Sequence, residues 1–381
     1  MKIMQVIGGL GNGGAEKLVV ELSNQLSLTD EVSLLSFRSV EKWMAFPKLL
    51  NKNIDLITTG KKPGVNLFWF LKLLKIIRYK KPDVINLHLD TALFLFLPLI
   101  CILNGLFFYN IKFYYTIHNK LVISSKSDSN PTKYSNSKIF DFMNKIRSIP
   151  IEFICISKSI LDDFESRYNR IKFSLIENGC VRMEKTNNFK IINEKINQYR
   201  INKNTVVFLA IGRISPQKNY EQALRIMRHY KERNVVLLII GNETTKGRPL
   251  FNHLQSLKPS NVFFLETVDH VSDYIINTDA IFFTSHYEGM PITAIEAMSM
   301  GKPIICTPAG GLVDMVESGI NGFIAKNFSD DSLIAEIDSF LQTSDKELML
   351  IKQNNQRSFQ ERYSLERCAS NYRKIYINSN A

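Results

Sequence analysis

Short apolar runs punctuate this chain, and between them lie stretches whose apolar residues recur every three or four positions. In the first half, residues 2–7, 32–37, 83–88, 113–118 and 153–157 are short and apolar enough to be buried strands. Residues 13–26 and 65–80 carry the helical period, and the second of these has a basic end of Lys72, Lys75, Arg78, Lys80 and Lys81. A second series opens with TVVFLAIG at 205 and continues through VVLLIIG (235–241), VFFL (262–265), AIFFT (280–284) and PIICT (303–307). Strands alternating with helices predict parallel sheets covered on both faces. The alternation loosens between the two series, where 182–204 is polar and lysine-rich. The pattern therefore predicts an α/β protein of two doubly wound, Rossmann-like domains, one over 1–180 and one over 181–360. A last helix at 361–376 carries Tyr363, Tyr372 and Tyr376, and pattern alone does not place it.

Two segments stand apart. Residues 119–138 are polar, contain Pro131 and follow a strand end. They read as a plain linker or as a substrate lid, because open α/β sheets bind ligands beyond the carboxyl ends of their strands. Residues 91–111 hold no charge, which raises the question of a membrane span. Pro98 interrupts the run, Asn104-Gly105 ends it, and the strand-like DVINLH and KFYYTIH flank it. That context predicts a buried helix between parallel strands and leaves a peripheral membrane contact open.

Composition narrows the classes. With 45% hydrophobic and 22% charged residues over 381 positions, the chain is a folded protein and not a disordered one. Its net charge of +12 is uneven: residues 1–180 hold 24 Lys and Arg against 15 Asp and Glu, and 181–381 hold 24 against 21. A basic first half attracts anions, whether nucleic acid, an acidic membrane or a pyrophosphate-linked lipid. Nucleic acid is the weakest of these, since no zinc-finger spacing and no aromatic-basic RNA signature is present. Cys101, Cys155, Cys180, Cys306 and Cys368 never form a CxxC pair and read as free thiols of a reducing compartment. The opening MKIMQVIGGL runs straight into a strand and a glycine loop, without a signal peptide. The expected location is cytoplasmic, including the inner face of the cytoplasmic membrane.

The chemistry concentrates in SHYEGMPITAIEAMSMGKPI at 285–304. Glu288 falls at the carboxyl end of a strand, Gly289 permits a tight turn, Pro291 suits a first helical position, and Glu296 lies one to two turns into the helix. The amides between the glutamates point where a helix start favours anions. Both glutamates read equally as solvated surface charges or as a site for something phosphorylated and hydroxylated. GRISPQK at 212–218 sets Arg213 and Lys218 beyond another strand, where a guanidinium and an ammonium suit a diphosphate. GGLGNGGAE at 8–16 opens a helix with Gly13 and Gly14, but the acid a Rossmann oxidoreductase needs after strand two is replaced by Ser36-Phe37-Arg38. The six histidines make no ligand-spaced set, so no metal cofactor is expected. His88 and His118 fall at strand ends, and His118, next to the polar segment, is the better candidate for a site.

Taken in order, GGAEKLVVEL, DVINLH, TIH, IENG, GRISPQK, the 285–304 block and GGLVDMVESGINGFI resemble the GT-B glycosyltransferases, within them the retaining family 4 with its E-x7-E motif, of the bacterial polysaccharide and lipopolysaccharide type. The resemblance spans nearly the whole chain. It implies two domains facing across a cleft, with residues 361–381 crossing back onto the first. It implies that Arg213 and Lys218 neutralise a nucleoside diphosphate, a task metals perform elsewhere. Glu296 would hold the ribose, Glu288 would face the donor sugar, and the amides around Gly289 and Met290 would bind sugar hydroxyls or phosphate. His118 would contact the sugar from the other domain, and Gly13 and Gly14 would let that domain approach the phosphates. The implied partners are a nucleotide sugar, UDP-linked first, and a lipid-linked or cell-surface glycan. Alternatives are an epimerase or hydrolase of nucleotide sugars and a non-catalytic scaffold. Departures are Gly241-Asn242-Glu243 and Glu266, where the family has glycines, and Asp314, where it commonly has Glu.

Overall fold

The computed structural model describes every residue except 42–43, 62–66, 106–110, 120–139, 142, 145–149, 242–247, 267, 269 and 379–381. The expected linker or lid at 119–138 and the Asn242-Glu243 pair thus fall almost wholly outside the described residues.

The chain divides into two compact units, Met1–Cys180 with Leu365–Ala381, and Val181–Ser364. The first holds strands β1 (Lys2–Ile7), β2 (Glu31–Ser36), β3 (Asp55–Thr58), β4 (Val84–His88), β5 (Lys112–Ile117), β6 (Ile151–Cys155) and β7 (Phe173–Leu175). Their order is β3-β2-β1-β4-β5-β6-β7, and every pairing is parallel. Val84, Ile85, Leu87 and the apolar residues of β1 are buried on both sheet faces, as parallel strands between helices must be. Each such side chain contributes about 2 kcal/mol of apolar burial. Ile7 pairs with both Ser36 and His88, so the carboxyl ends of β1, β2 and β4 finish level.

The second unit holds β8 (Val206–Ile211), β9 (Val235–Ile240), β10 (Val262–Leu265), β11 (Ala280–Phe283), β12 (Ile304–Cys306) and β13 (Gly322–Ile324). Their order is β10-β9-β8-β11-β12-β13, again parallel throughout. In each unit the order reverses direction once, between β1 and β4 and between β8 and β11. At such a switch point the connections of an open α/β sheet leave toward opposite faces, which is where ligands of such sheets bind.

Residues 91–105 of the apolar run lie in the helix Asp90–Gly105, and residues 106–110 fall outside the described residues. Ala92, Leu93, Phe96, Leu99 and Ile100 are buried, so its face lies on the sheet. Among the described residues no helix is long and apolar enough to cross a membrane. In the polar stretch after residue 181 the structure contains a helix that the sequence pattern does not predict, Phe189–Asn197. Ile192 and Ile196, four apart, bury its single apolar stripe among lysines and asparagines that dilute the period. The helix expected at 361–376 begins later, at Leu365–Asn378, because Phe359–Tyr363 forms a π-helical turn continuing the helix Asp345–Ser358.

The helix Leu365–Asn378 is part of the first unit. Leu365, Cys368, Ala369, Tyr372 and Tyr376 form its buried stripe. Arg373 Nε donates to Asp30 Oδ2 at 2.8 Å, Lys112 Nζ to the Tyr376 carbonyl at 2.8 Å, and the Tyr114 and Tyr376 rings meet at 4.8 Å.

Candidate functional site

In the second unit, the loops leaving β8 and β11 are bound into one body. Thr284 Oγ1 donates to the Lys218 carbonyl at 2.9 Å, the His286 amide to the Gln217 carbonyl at 2.9 Å, and Gln217 Nε2 to the Tyr287 carbonyl at 3.0 Å. Glycines bring the backbones together. A Cβ on Gly241 would lie 2.0 Å from the Gly212 carbonyl oxygen, and one on Gly310, whose φ is +53°, would lie 1.9 Å from that of Glu288. No side chain fits at either position without the loops moving apart.

This frame holds an ion pair. Lys218 Nζ lies 2.7 Å from Glu288 Oε1, and Ser285 Oγ donates to the same oxygen at 2.6 Å. Oε1 is thus saturated by two donors, and among the described residues Oε2 takes none. Glu288 is 6% exposed and Glu296 5%, so neither is the solvated surface charge that the sequence left open. Arg213 is exposed, and its charge reaches the Tyr287 phenol. Burial raises that phenol above its usual range, Glu288 adds to the rise, and Arg213 opposes it. Burial and then Glu288 likewise raise the Tyr220 phenol, which donates to the Gly212 carbonyl at 3.1 Å.

Pro291 precedes the helix Ile292–Ser299 as its N-cap rather than as its first residue. Glu296 sits in the fifth position of that helix, and Ser299 Oγ ties the Glu296 carbonyl at 2.6 Å. Met290 is buried, and the Gly289 carbonyl packs on Gly311, where a Cβ would come within 2.0 Å. The structure thus brings Lys218 and Glu288 into contact, with Arg213 and Gly289 on the same two loops.

His118, Gly13 and Gly14 belong to the first unit. Gly13 is the N-cap of the helix Gly14–Leu26, and a Cβ there would meet the Glu16 carboxylate at 2.4 Å. His118 is not alone: its Nε2 lies 3.1 Å from His88 Nδ1, and His88 Nε2 lies 2.7 Å from Gln5 Oε1. Burial depresses His118 to about 4, and burial together with His118 holds His88 well below the usual imidazole range. Both rings are therefore neutral at pH 7. Ser285, Gln5 and the partnership of His88 with His118 are absent from the sequence reading. Ser285 carries a signal, a hydroxyl three residues before the strand-end glutamate; the histidine contact joins strands 30 residues apart and carries none.

Two family models cover most of the chain. Residues 12–181 match Glycosyltransferase Family 4, and residues 191–357 match Glycosyl transferases group 1. The chain is a glycosyltransferase of the GT-B fold. The glycosyltransferase is 24% identical over 335 residues to an uncharacterized 41.2 kDa protein in the cps region of Klebsiella pneumoniae, covering 85% of this chain and 86% of that one. It is 23% identical over 355 residues to the Escherichia coli UDP-Gal:alpha-D-GlcNAc-diphosphoundecaprenol alpha-1,3-galactosyltransferase, covering 87% of this chain and 83% of that one. Among solved structures, the Anabaena Alr3699/HepE complex with UDP and glucose superposes with a TM-score of 0.78 at 18% identity, covering 98% and 99% of the two chains. At that identity the likeness is one of fold.

Proposed function

We propose that the chain is a retaining glycosyltransferase that moves a sugar from a UDP-linked donor to a hydroxyl of a lipid-linked or cell-surface glycan. The observation that carries this reading is the Lys218–Glu288–Ser285 cluster at the β8/β11 switch point, with Arg213 on the same loop as Lys218. In this reading Arg213 and Lys218 bind the diphosphate and neutralise the charge that develops as it departs, and no metal is needed. Glu296 holds the ribose, and the Gly289 and Met290 backbone approaches the sugar. Gly13 and Gly14 allow close approach of the first unit's backbone to phosphate, and His118 hydrogen-bonds the donor sugar. UDP is favoured because the E. coli relative and the Anabaena neighbour are named with it. The same E. coli name, with its diphosphoundecaprenol acceptor, supports a lipid-linked acceptor and a role in polysaccharide assembly.

The step proposed is front-face substitution. The anomeric carbon–phosphate oxygen bond breaks, the acceptor oxygen bonds to the same face, and the leaving phosphate takes the acceptor's proton. Glu288 orients and stabilises the positively charged sugar through Oε2, while Lys218 and Ser285 hold Oε1. Capture of a covalent glycosyl adduct on Glu288 by mass spectrometry would replace this route with double displacement.

The reading is tested by thermal shift across nucleotides and nucleotide sugars, followed by transfer assays with chelator present. UDP and UDP-sugars raise the melting temperature, because a ligand that binds only the folded state stabilises it. Lys218→Gln keeps a comparable volume, abolishes the UDP shift and lowers kcat/KM by about a thousandfold. No shift with any nucleotide sugar would sink the proposal; donor consumption without acceptor would favour the hydrolase.

A further inference from the structure

The most completely buried polar cluster of the first unit underlies His118. Gln5, Asn86, His88 and Thr116 are 0% exposed, and His118 is 7% exposed. The first four come from β1, β4 and β5 and His118 follows β5; Gln5 pairs with Asn86 and His88 with Thr116, so polar side chains of three strands occupy two successive rungs on one face. A buried polar atom left without a partner costs about 1–3 kcal/mol, so the hydrogens here are confined to few arrangements.

With the Gln5 amide oriented as the structure places it, oxygen toward His88 Nε2, the hydrogens take one order. Gln5 Oε1 is an acceptor only, so His88 Nε2 at 2.7 Å must donate. A neutral imidazole has one N–H, which leaves His88 Nδ1 bare. His118 Nε2, 3.1 Å from that bare nitrogen, must then donate in turn. The Asn86 amide nitrogen also lies 3.2 Å from His88 Nε2 and would demand the opposite order. The shorter Gln5 contact decides between them, and Asn86 Oδ1 accepts from the Thr116 hydroxyl at 3.1 Å. The Gln5 amide nitrogen lacks a hydrogen-bond partner among the described residues, and Gln5 lies beside the Tyr376 hydroxyl.

We propose that Gln5 and His88 are positioning residues that hold His118 as its Nε2–H tautomer, so that Nδ1 accepts a hydrogen bond from a substrate hydroxyl. The inference rests on the reading of His118 as the donor-sugar contact. His118 is the exposed end of the chain of rings, and its Nδ1 has no partner among the described residues. Burial keeps both rings neutral, so the relay orients His118 and does not charge it. A site built to accept from one hydroxyl discriminates against a sugar lacking it, because the ring nitrogen is then left unpaired.

The test uses the full chain with 15N-labelled histidine and long-range proton–nitrogen correlation spectra at pH 7.5. Wild type shows His118 with a protonated Nε2 and a bare Nδ1. Gln5→Leu removes the acceptor and shifts His118 toward the opposite tautomer. In transfer assays Gln5→Leu lowers kcat about tenfold with donor KM within threefold. A wild-type His118 protonated on Nδ1, or a tautomer indifferent to Gln5→Leu, overturns the inference without touching the enzymatic reading, since these spectra need no donor. The native tautomer with no change of the Nδ1 signal on saturation with a donor that binds by thermal shift overturns the sugar contact itself.

Discussion

At the scale of single residues, the candidate site is a problem of where a carboxylate may point. Glu288 keeps one oxygen engaged by Lys218 and Ser285, and the other takes no donor among the described residues. Ser285 is 1% exposed, so nothing but a side chain can replace its hydroxyl. Ser285→Ala should therefore cost about 2 kcal/mol of transition-state stabilisation, the range for a hydrogen bond to a charged group, or roughly thirtyfold in kcat. Donor KM and melting temperature should change little; steady-state kinetics and a thermal melt check both. The type and spacing of Glu288, Glu296, Arg213 and Lys218 were legible in the sequence because each sits just past an apolar run. The burial of Glu288 against Lys218 was not legible, since it arises from loops meeting 70 residues apart.

Elements carry a second lesson. Long, strongly apolar strands such as β4, β8 and β9 were legible from pattern. The edge strands β3, β7 and β13 were not, because they are three or four residues long and β3 and β7 are half-buried, so their alternation is short and weak. Connections between elements are likewise set by contacts that pattern does not report. Lys302, in the turn between the helix Ile292–Ser299 and β12, donates to the Thr278 carbonyl just before β11. Burial lowers its pKa from 10.5 to about 8, against the pull of Asp279. The unfolded chain therefore binds more protons than the folded one between about pH 8 and 10.5, and the stability of the wild type rises with pH in that window. Relative to Lys302→Met, the gain should reach about 3 kcal/mol. Urea melts of both proteins at pH 7.5, 9 and 10.5 measure it; a difference independent of pH would show that Lys302 titrates normally.

For the whole molecule, the uneven charge read from the sequence finds a location. The helix Leu67–Lys80 has no acidic residue. Phe68, Leu71 and Tyr79 are 79%, 53% and 81% exposed, and Lys75 and Arg78 share their side of the helix. Aromatic residues interleaved with cations suit the interface of an anionic bilayer, where each cation contributes about 1 kcal/mol. The glycosyltransferase should co-sediment with phosphatidylglycerol vesicles at low salt and be released at high salt. Lys75→Glu with Arg78→Glu should weaken binding at low salt by about tenfold or more, and Phe68→Ser with Tyr79→Ser should weaken it at both salts. Equal recovery with neutral and anionic vesicles would remove the membrane from the account of this protein.

The helix Leu365–Asn378 has a consequence for the order of events during synthesis. It completes a unit whose other residues leave the ribosome first, and it lays Tyr372 and Tyr376 under the strands that bear the histidines. Tyr372 shares a 3.3 Å contact with Thr116, and Tyr376 lies beside Gln5 and Asn86. The first unit to be translated is thus the last able to finish folding, while Val181–Ser364 is contiguous and free to close earlier. A nascent chain made only as far as Ser364 has the loops that bear Lys218 and Glu288 but an unfinished floor beneath His118. The floor beneath the histidines is complete only once Leu365–Asn378 has been made.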